Sequence, residues 1–252
     1  MTLTWTTFVI VCPLVFLAGF VDAIAGGGGL ISLPAYLLAG VPMHQAIATN
    51  KLSSATGTVV STVRYCKRIR VDWAVALPAI VLSLIGSFIG AKLTLLVSEH
   101  ALKIVLLIIL PVTAVFVFRK NALVEKQQGT VSHTRMLVIT WIAALVIGCY
   151  DGFYGPGTGT FLILIMVGLA KMDMMQAAAN TKLINLASNV SALIAFLISG
   201  QVLLTLGLAA AVFSIAGHYT GSAMMMKNGT KIVRPIILLV LVLLFIKVIT
   251  EL

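Results

Sequence analysis

Long apolar stretches make up most of this chain, and short polar segments separate them. Residues 236–246 are apolar on every side (IILLVLVLLFI), and residues 183–226 carry no Asp, Glu, Lys or Arg. A membrane-spanning helix needs about 20 apolar residues, whereas a strand of a membrane barrel alternates apolar and polar positions over about 10 residues. The pattern therefore predicts an all-α integral membrane protein.

The second half of the chain repeats the first. Residues that match at one constant spacing are Lys51 with Lys182, Ser83 with Ser214, Gly86 with Gly217, and Gly90 with Gly221. The glycine-rich segments at 19–29 (GFVDAIAGGGG) and 148–159 (GCYDGFYGPGTG) also align, which places Asp22 opposite Asp151. Such self-similarity indicates an internal duplication. We predict a first transmembrane repeat at 1–119, a polar cytoplasmic linker at 120–131 and a second transmembrane repeat at 132–252.

Each repeat is predicted to contain several helical pieces, of which the second is short. They span 5–21, 30–39, 43–65, 73–97 and 101–118 in the first repeat, and 134–150, 161–169, 174–198, 202–226 and 232–249 in the second. A piece of about 10 residues is about 15 Å long and cannot cross about 30 Å of hydrocarbon, so it is a half-helix. About eight to ten membrane helices result, the broken ones included. The matched glycines at 86, 90, 217 and 221 are expected to allow close helix packing.

Composition and charge agree with a membrane protein. Of the 252 residues, 60% are hydrophobic and 10% are charged, and the mean hydropathy of +1.13 is too high for a soluble domain. The net charge of +10 comes from Lys and Arg in short loops that face cytoplasm and lipid headgroups, so nucleic-acid binding is not indicated. Placing every basic loop inside requires the two repeats to be inverted, an arrangement typical of secondary transporters.

Two lysines, Lys51 and Lys182, each lie several residues into a predicted helix, roughly 12 Å from its start and within the membrane. A charge at the centre of a membrane helix costs about 2.5–3.5 kcal/mol, so we expect these ammonium groups to face a site for a small anion. Two alternatives stay open. Each lysine pairs with Asp22 or Asp151 only to hold helices together, or it snorkels to the membrane interface.

Polar residues continue along one face of each helix from the lysine. At the third and seventh positions after it stand Ser54 and Thr58 in the first repeat, and Asn185 and Asn189 in the second. These hydroxyl and amide groups are suited to line a hydrated path. For Thr58 and Asn189, hydrogen bonding between helices is an equally good interpretation.

The glycine runs at 26–29 and 155–159 are expected to interrupt the helices, because each glycine costs about 1 kcal/mol relative to alanine. The N–H groups that begin the following half-helices carry partial positive charge and attract anions. The predicted substrate-binding residues are therefore Gly27, Gly28, Asn50, Lys51, Ser54, Gly157, Thr158, Thr181, Lys182 and Asn185. Asp22 and Asp151 are predicted to neutralise the lysines, to carry a coupling proton or to cap backbone N–H groups.

Two segments carry a family resemblance: 19–54 (GFVDAIAGGGGLISLPAYLLAGVPMHQAIATNKLSS) and its second copy, 148–189 (GCYDGFYGPGTGTFLILIMVGLAKMDMMQAAANTKLINLASN). They closely resemble the TauE/SafE family of membrane transporters, also known as the toluene-sulfonate uptake permease family. The resemblance covers essentially the whole chain and implies a sulfur oxyanion, sulfite or an organosulfonate, as cargo. The residues alone indicate only a small anion. Pro156, Thr158 and Thr160 interrupt the second glycine run, so the two halves of the site are unequal.

We therefore predict a secondary transporter of the bacterial inner membrane, not an enzyme, that works by alternating access. Its expected partners are the small anion, the lipid bilayer and protons as a coupling ion, with no cofactor and no metal. The histidines His44, His100, His133 and His218 are scattered, and the three cysteines are far apart, so neither a catalytic nor a metal-binding set is indicated. The alternatives are an anion channel, a permease for another small anion, and a structural or assembly subunit of the membrane.

Overall fold

The computed structural model describes residues 3–105, 108–109 and 131–228. In the predicted first repeat its helices are α1 (Trp5–Ala25), α2 (Gly29–Leu38), α3 (Met43–Arg68) and α4 (Trp73–Leu96). In the predicted second repeat they are α5 (His133–Phe153), α6 (Thr158–Gly168), α7 (Met174–Ile198) and α8 (Leu204–Asn228). No strand occurs among these described residues, so the predicted all-α class is confirmed.

Three of the predicted segments fall mainly outside the described residues. Residues 99–105 are helical and begin the helix predicted at 101–118. Apart from residues 108–109, the rest of that helix lies outside the described ranges. So do the helix at 232–249 and the linker at 120–131, apart from residue 131. The proposed division into two repeats and a linker therefore stays a prediction.

Five of the described helices are long and apolar enough to cross a membrane: α1, α4, α5, α7 and α8. The helices α2 and α6 have 10 and 11 residues, which at 1.5 Å per residue is about half of the hydrocarbon thickness. They match the predicted half-helices. The helix α3 has 26 residues, enough to span the membrane, but its polar residues lower its mean hydropathy. The chain is a multi-pass membrane protein.

Short polar side chains begin several of these helices. Asp72 precedes α4 and accepts a hydrogen bond from the N–H of Ala74 at 3.0 Å. Asp173 precedes α7 and accepts from two backbone N–H groups, at 2.9 and 3.0 Å. Such caps satisfy N–H groups that have no partner within the helix. They place the starts of α4 and α7 where the sequence pattern predicts them.

Glycines bring two pairs of helices into close contact across the repeats. Gly86 and Gly90 of α4 lie against the backbone of α5 at Leu145 and Cys149. At the matching positions of the second repeat, Gly217 and Gly221 of α8 lie against the backbone of α1 at Phe16 and Phe20. A β-carbon at any of these four positions would overlap a backbone oxygen of the neighbouring helix. The prediction that they serve close packing is confirmed.

The contacts also give the directions of the helices. In α1 and α8, Phe16 meets Gly217 and Phe20 meets Gly221, so residue numbers rise together and the two helices are parallel. The helices α4 and α5 are parallel by the same criterion, because Gly148 lies against Ser83 and Gly152 against Ser87.

The helices α3 and α7 are antiparallel. Lys51 reaches Asn189, while the hydroxyl of Thr62, farther along α3, reaches the carbonyl of Lys182, which comes earlier in α7. The hydroxyls of Ser83 and Ser87 donate to the carbonyls of Ile184 and Ser188, so α4 and α7 are parallel. Leu203 meets Thr49, and His218 meets Ser61, so α3 and α8 are parallel. Thus α1, α3 and α8 run one way and α4, α5 and α7 the other.

Candidate functional site

The first helix break, at 26–28 between α1 and α2, and the second, at 154–157 between α5 and α6, meet in the centre of the protein. Gly26 ends α1 with a φ of 72°, and Gly157 precedes α6 with a φ of 87°, conformations that favour glycine. A β-carbon on Gly26 would overlap the backbone of Gly159, and one on Gly29 would crowd Pro156. The glycines therefore serve both the sharp turn of each break and the close approach of one break to the other.

Each lysine forms an ion pair with the aspartate of the opposite repeat. The Nζ of Lys51 lies 2.8 Å from Oδ2 of Asp151, and the Nζ of Lys182 lies 2.8 Å from Oδ2 of Asp22. Both lysine side chains are 2% exposed, which excludes the alternative that they snorkel to the interface. The pairs cross, so each joins a full-length helix of one repeat to the helix break of the other.

Hydrogen bonds to neighbouring groups fix both carboxylates. Asp151 accepts from the hydroxyl of Thr158 at 2.8 Å and from that of Ser188 at 2.6 Å. Asp22 accepts from the N–H of Gly28, the residue before α2, at 3.2 Å. Two of the roles predicted for Asp22 are thus present, because it neutralises Lys182 and caps the broken backbone.

The two ammonium groups differ in their remaining contacts. Lys51 also donates to the side-chain oxygen of Asn189 at 3.2 Å. Lys182 instead donates to the backbone carbonyl of Asp22, in the last turn of α1. Lys51 is therefore held by side chains, whereas Lys182 is held partly by the backbone of the first break.

A small central cavity lies where the breaks meet. Its volume is about 30 Å³, counted as the space open to the centre of a water molecule, which is room for a few waters. The predicted site residues that line it are Asp22, Gly27, Gly28, Asn50, Lys51, Ser54, Asp151, Thr158 and Asn185. The site brings together parts of α1, α3, α5 and α7 and both breaks.

Three predicted site residues do not line this cavity. The ammonium of Lys182 turns to the carboxylate and the carbonyl of Asp22. The hydroxyl of Thr181 donates to the sulfur of Met166 on α6, at 3.7 Å. Gly157 supplies the left-handed residue before α6. Matching positions in the two repeats thus have different surroundings.

The sequence interpretation missed His218, a buried residue of α8 that lines the cavity. Its Nδ1 lies 3.0 Å from the hydroxyl of Ser61, and its Nε2 lies 3.9 Å from Oδ2 of Asp22. The sequence does contain an indication of its role. His218 directly follows the packing residue Gly217, in a stretch without Asp, Glu, Lys or Arg. A titratable side chain in such a helix is a candidate functional residue.

The charges of the site balance, and further amide and hydroxyl groups line it. Two ammonium groups face two carboxylates, so the centre is close to neutral when His218 is uncharged. Asn50, Ser54, Thr58 and Asn185 add amide and hydroxyl donors to the cavity wall. An anion that displaces a carboxylate from Lys51 would keep the ammonium paired and find these donors nearby.

Comparison with known proteins identifies relatives over nearly the whole chain. The family model described as "Sulfite exporter TauE/SafE" matches residues 11–248. The chain is 37% identical over 238 residues to "Probable membrane transporter protein ORF9" of a Sinorhizobium species, covering 94% of this chain and 90% of that protein. It is 34% identical over 226 residues to "Probable membrane transporter protein YfcA" of Escherichia coli K12, covering 89% and 82%. No solved structure matches.

Proposed function

The chain belongs to the TauE/SafE family of membrane transporters, and we propose that it carries a small sulfur oxyanion, sulfite or an organosulfonate, as a secondary transporter. The protein is a multi-pass protein of the bacterial inner membrane. The observation that carries the proposal is the pair of crossed Lys–Asp contacts at the meeting point of two helix breaks. The family description supports sulfite as the cargo.

In this proposal the anion enters by competing with Asp151 for the ammonium of Lys51. When Lys51 turns to the substrate, the carboxylate keeps two hydrogen bonds, from the hydroxyls of Thr158 and Ser188. Ser54 and Asn185 then orient the oxyanion through directional hydrogen bonds. Because the cavity holds only a few waters, the Lys51–Asp151 contact must open to admit the substrate.

We also propose that the two repeats are inverted and that transport proceeds by alternating access. The directions of the helices support this, because α1 and its counterpart α5 run in opposite directions. In inverted repeats with broken helices, one repeat rocks against the other around a central site. The crossed ion pairs would then make and break as the two faces exchange.

Proton coupling belongs to the same proposal. His218 lies between the Asp22 carboxylate of α1 and Ser61 of α3, and Lys182 of α7 is the further charge beside Asp22. A proton on His218 would add a positive charge next to Asp22 and weaken its hold on Lys182. Proton binding would thereby be linked to the contact between Lys182 and Asp22 at the first helix break.

The test is flux of radiolabelled sulfite into proteoliposomes, with and without a pH gradient, for the parent protein, Lys51→Met and Lys92→Met. Lys92 is an exposed lysine of α4 and provides the matched control. We expect saturable flux in the parent and in Lys92→Met and none in Lys51→Met. The parent flux should respond to the pH gradient, and sulfoacetate should compete.

Other results would contradict the proposal in separate ways. Flux that rises in proportion to sulfite concentration would indicate a channel. Saturable flux that is the same with and without the pH gradient would contradict only the proposed proton coupling. Normal flux in a folded Lys51→Met protein would assign the lysine a structural role, and no flux in the parent would remove sulfite as cargo.

A further inference from the structure

Thr58 carries a hydroxyl group that has no hydrogen-bond partner among the described residues. The residue is 1% exposed, and it lines the central cavity. Buried polar groups in proteins are nearly always hydrogen-bonded, so an exception calls for an explanation. The hydroxyl of Thr58 is therefore a donor held in the wall of the candidate site.

The local helix does not explain this exception. A threonine within a helix commonly donates to a carbonyl one turn earlier. Thr56, two positions before Thr58, does so and contacts the carbonyls of Leu52 at 3.1 Å and Ser53 at 2.9 Å. The hydroxyl of Thr58 makes no such bond, although the residue lies in the same helix.

The repeat shows which contact is missing. Asn189 stands in α7 where Thr58 stands in α3, seven residues after the matching lysine. Asn189 accepts a hydrogen bond from Lys51 of the other repeat. The equivalent contact would join Lys182 to Thr58, but Lys182 is committed to the carboxylate and carbonyl of Asp22. Within the described part of the chain, the first repeat therefore leaves the hydroxyl of Thr58 unpaired where the second repeat has a closed pair.

We infer that Thr58 donates a hydrogen bond to the transported oxyanion, and that the anion site is one-sided. Lys51 is the cation that meets the anion, while Lys182 stays with Asp22 and positions the first helix break. Lys51 and Thr58 stand seven residues apart on the same face of α3 and both line the central cavity, so the hydroxyl is a second contact for an anion held there. This inference rests on the proposed function and adds a specificity residue to it.

The test compares Thr58→Val with Thr58→Ser and with the control Thr56→Val, by concentration-dependent flux of radiolabelled sulfite in proteoliposomes. Valine has the shape of threonine without its hydroxyl, so the fold is expected to persist. A lost hydrogen bond to a charged group should raise KM about tenfold or more in Thr58→Val. Thr58→Ser keeps the hydroxyl and should stay close to the parent, as should Thr56→Val.

The outcomes separate this inference from the proposed function. A higher KM in Thr58→Val alone, with unchanged thermal stability, supports the inference. Parent-like KM in Thr58→Val would overturn it and leave the transporter standing. An equal rise in Thr56→Val would also overturn it, because the effect would then come from the helix and not from the site. No flux in the parent would overturn both proposals.

Discussion

Breaking the Lys51–Asp151 pair should destabilise the protein far more than removing it entirely. At 2.8 Å and an effective dielectric constant of 20, the two charges attract each other by about 6 kcal/mol. Removing both groups from water costs a similar amount, so the net contribution of the pair to stability is small. Loss of one partner is different, because it leaves the other charge buried and unpaired.

The structure indicates the size of this effect for each single variant. In Lys51→Met, Asp151 keeps only the hydroxyls of Thr158 and Ser188. In Asp151→Asn, the ammonium of Lys51 loses its counter-charge and keeps only neutral acceptors, among them the side-chain oxygen of Asn189. We expect each single substitution to lower the free energy of unfolding by about 3–5 kcal/mol. The double variant Lys51→Met/Asp151→Asn should recover most of this loss.

Equilibrium unfolding in mixed detergent micelles, followed by tryptophan fluorescence, measures all three variants and the control Lys92→Met. The double-mutant cycle then gives the coupling energy between the two positions. Transport should stay absent in the double variant, because restored stability does not restore the ammonium. Additive losses in the double variant, or a single variant as stable as the parent, would refute the assignment of a coupled, buried ion pair.

Two further predictions concern the break and the membrane surface. Gly26→Ala should lower the thermal melting temperature more than Gly200→Ala. Both positions have positive φ, but only at Gly26 would the new methyl group overlap Gly159. Equal shifts in melting temperature would contradict the close approach of the two helix breaks. His133→Ala should raise the pKa of the Asp72 carboxyl in an NMR titration, because the hydrogen bond with His133 lowers that pKa in the folded protein. The contribution of Asp72 to stability is present above its unfolded pKa of about 3.9 and is lost as pH falls through the lower folded value. An unchanged pKa of Asp72 in His133→Ala would contradict the contact between the two side chains.

Hydrophobic periodicity and glycine content predicted most of the fold. The helix boundaries differ where local chemistry overrides the pattern. The first helix continues past the predicted end at 21 to Ala25, because the chain turns only at Gly26. The second half-helix begins at Thr158 and not at 161, although threonine and glycine are poor helix formers. The hydroxyl of Thr158 bonds to Asp151 and to the carbonyl of Gly155, which stabilises that start.

The candidate site was only partly predictable. The duplication placed Lys51, Lys182, Asp22 and Asp151 at matching positions, but it did not show that each lysine crosses to the other repeat. That pairing depends on how the two repeats pack, which no local pattern contains. The same packing turns Lys182 away from the cavity and brings His218 towards it.

The most direct test of the central claim is equilibrium binding of radiolabelled sulfite to the purified protein in detergent. The parent, Lys51→Met and the control Lys92→Met are compared at equal concentration, after size-exclusion chromatography has shown that each is folded. We predict saturable binding to the parent and to Lys92→Met, and at least about a tenfold weaker affinity for Lys51→Met. Equal affinity of all three proteins would contradict an anion site at the crossed helix breaks.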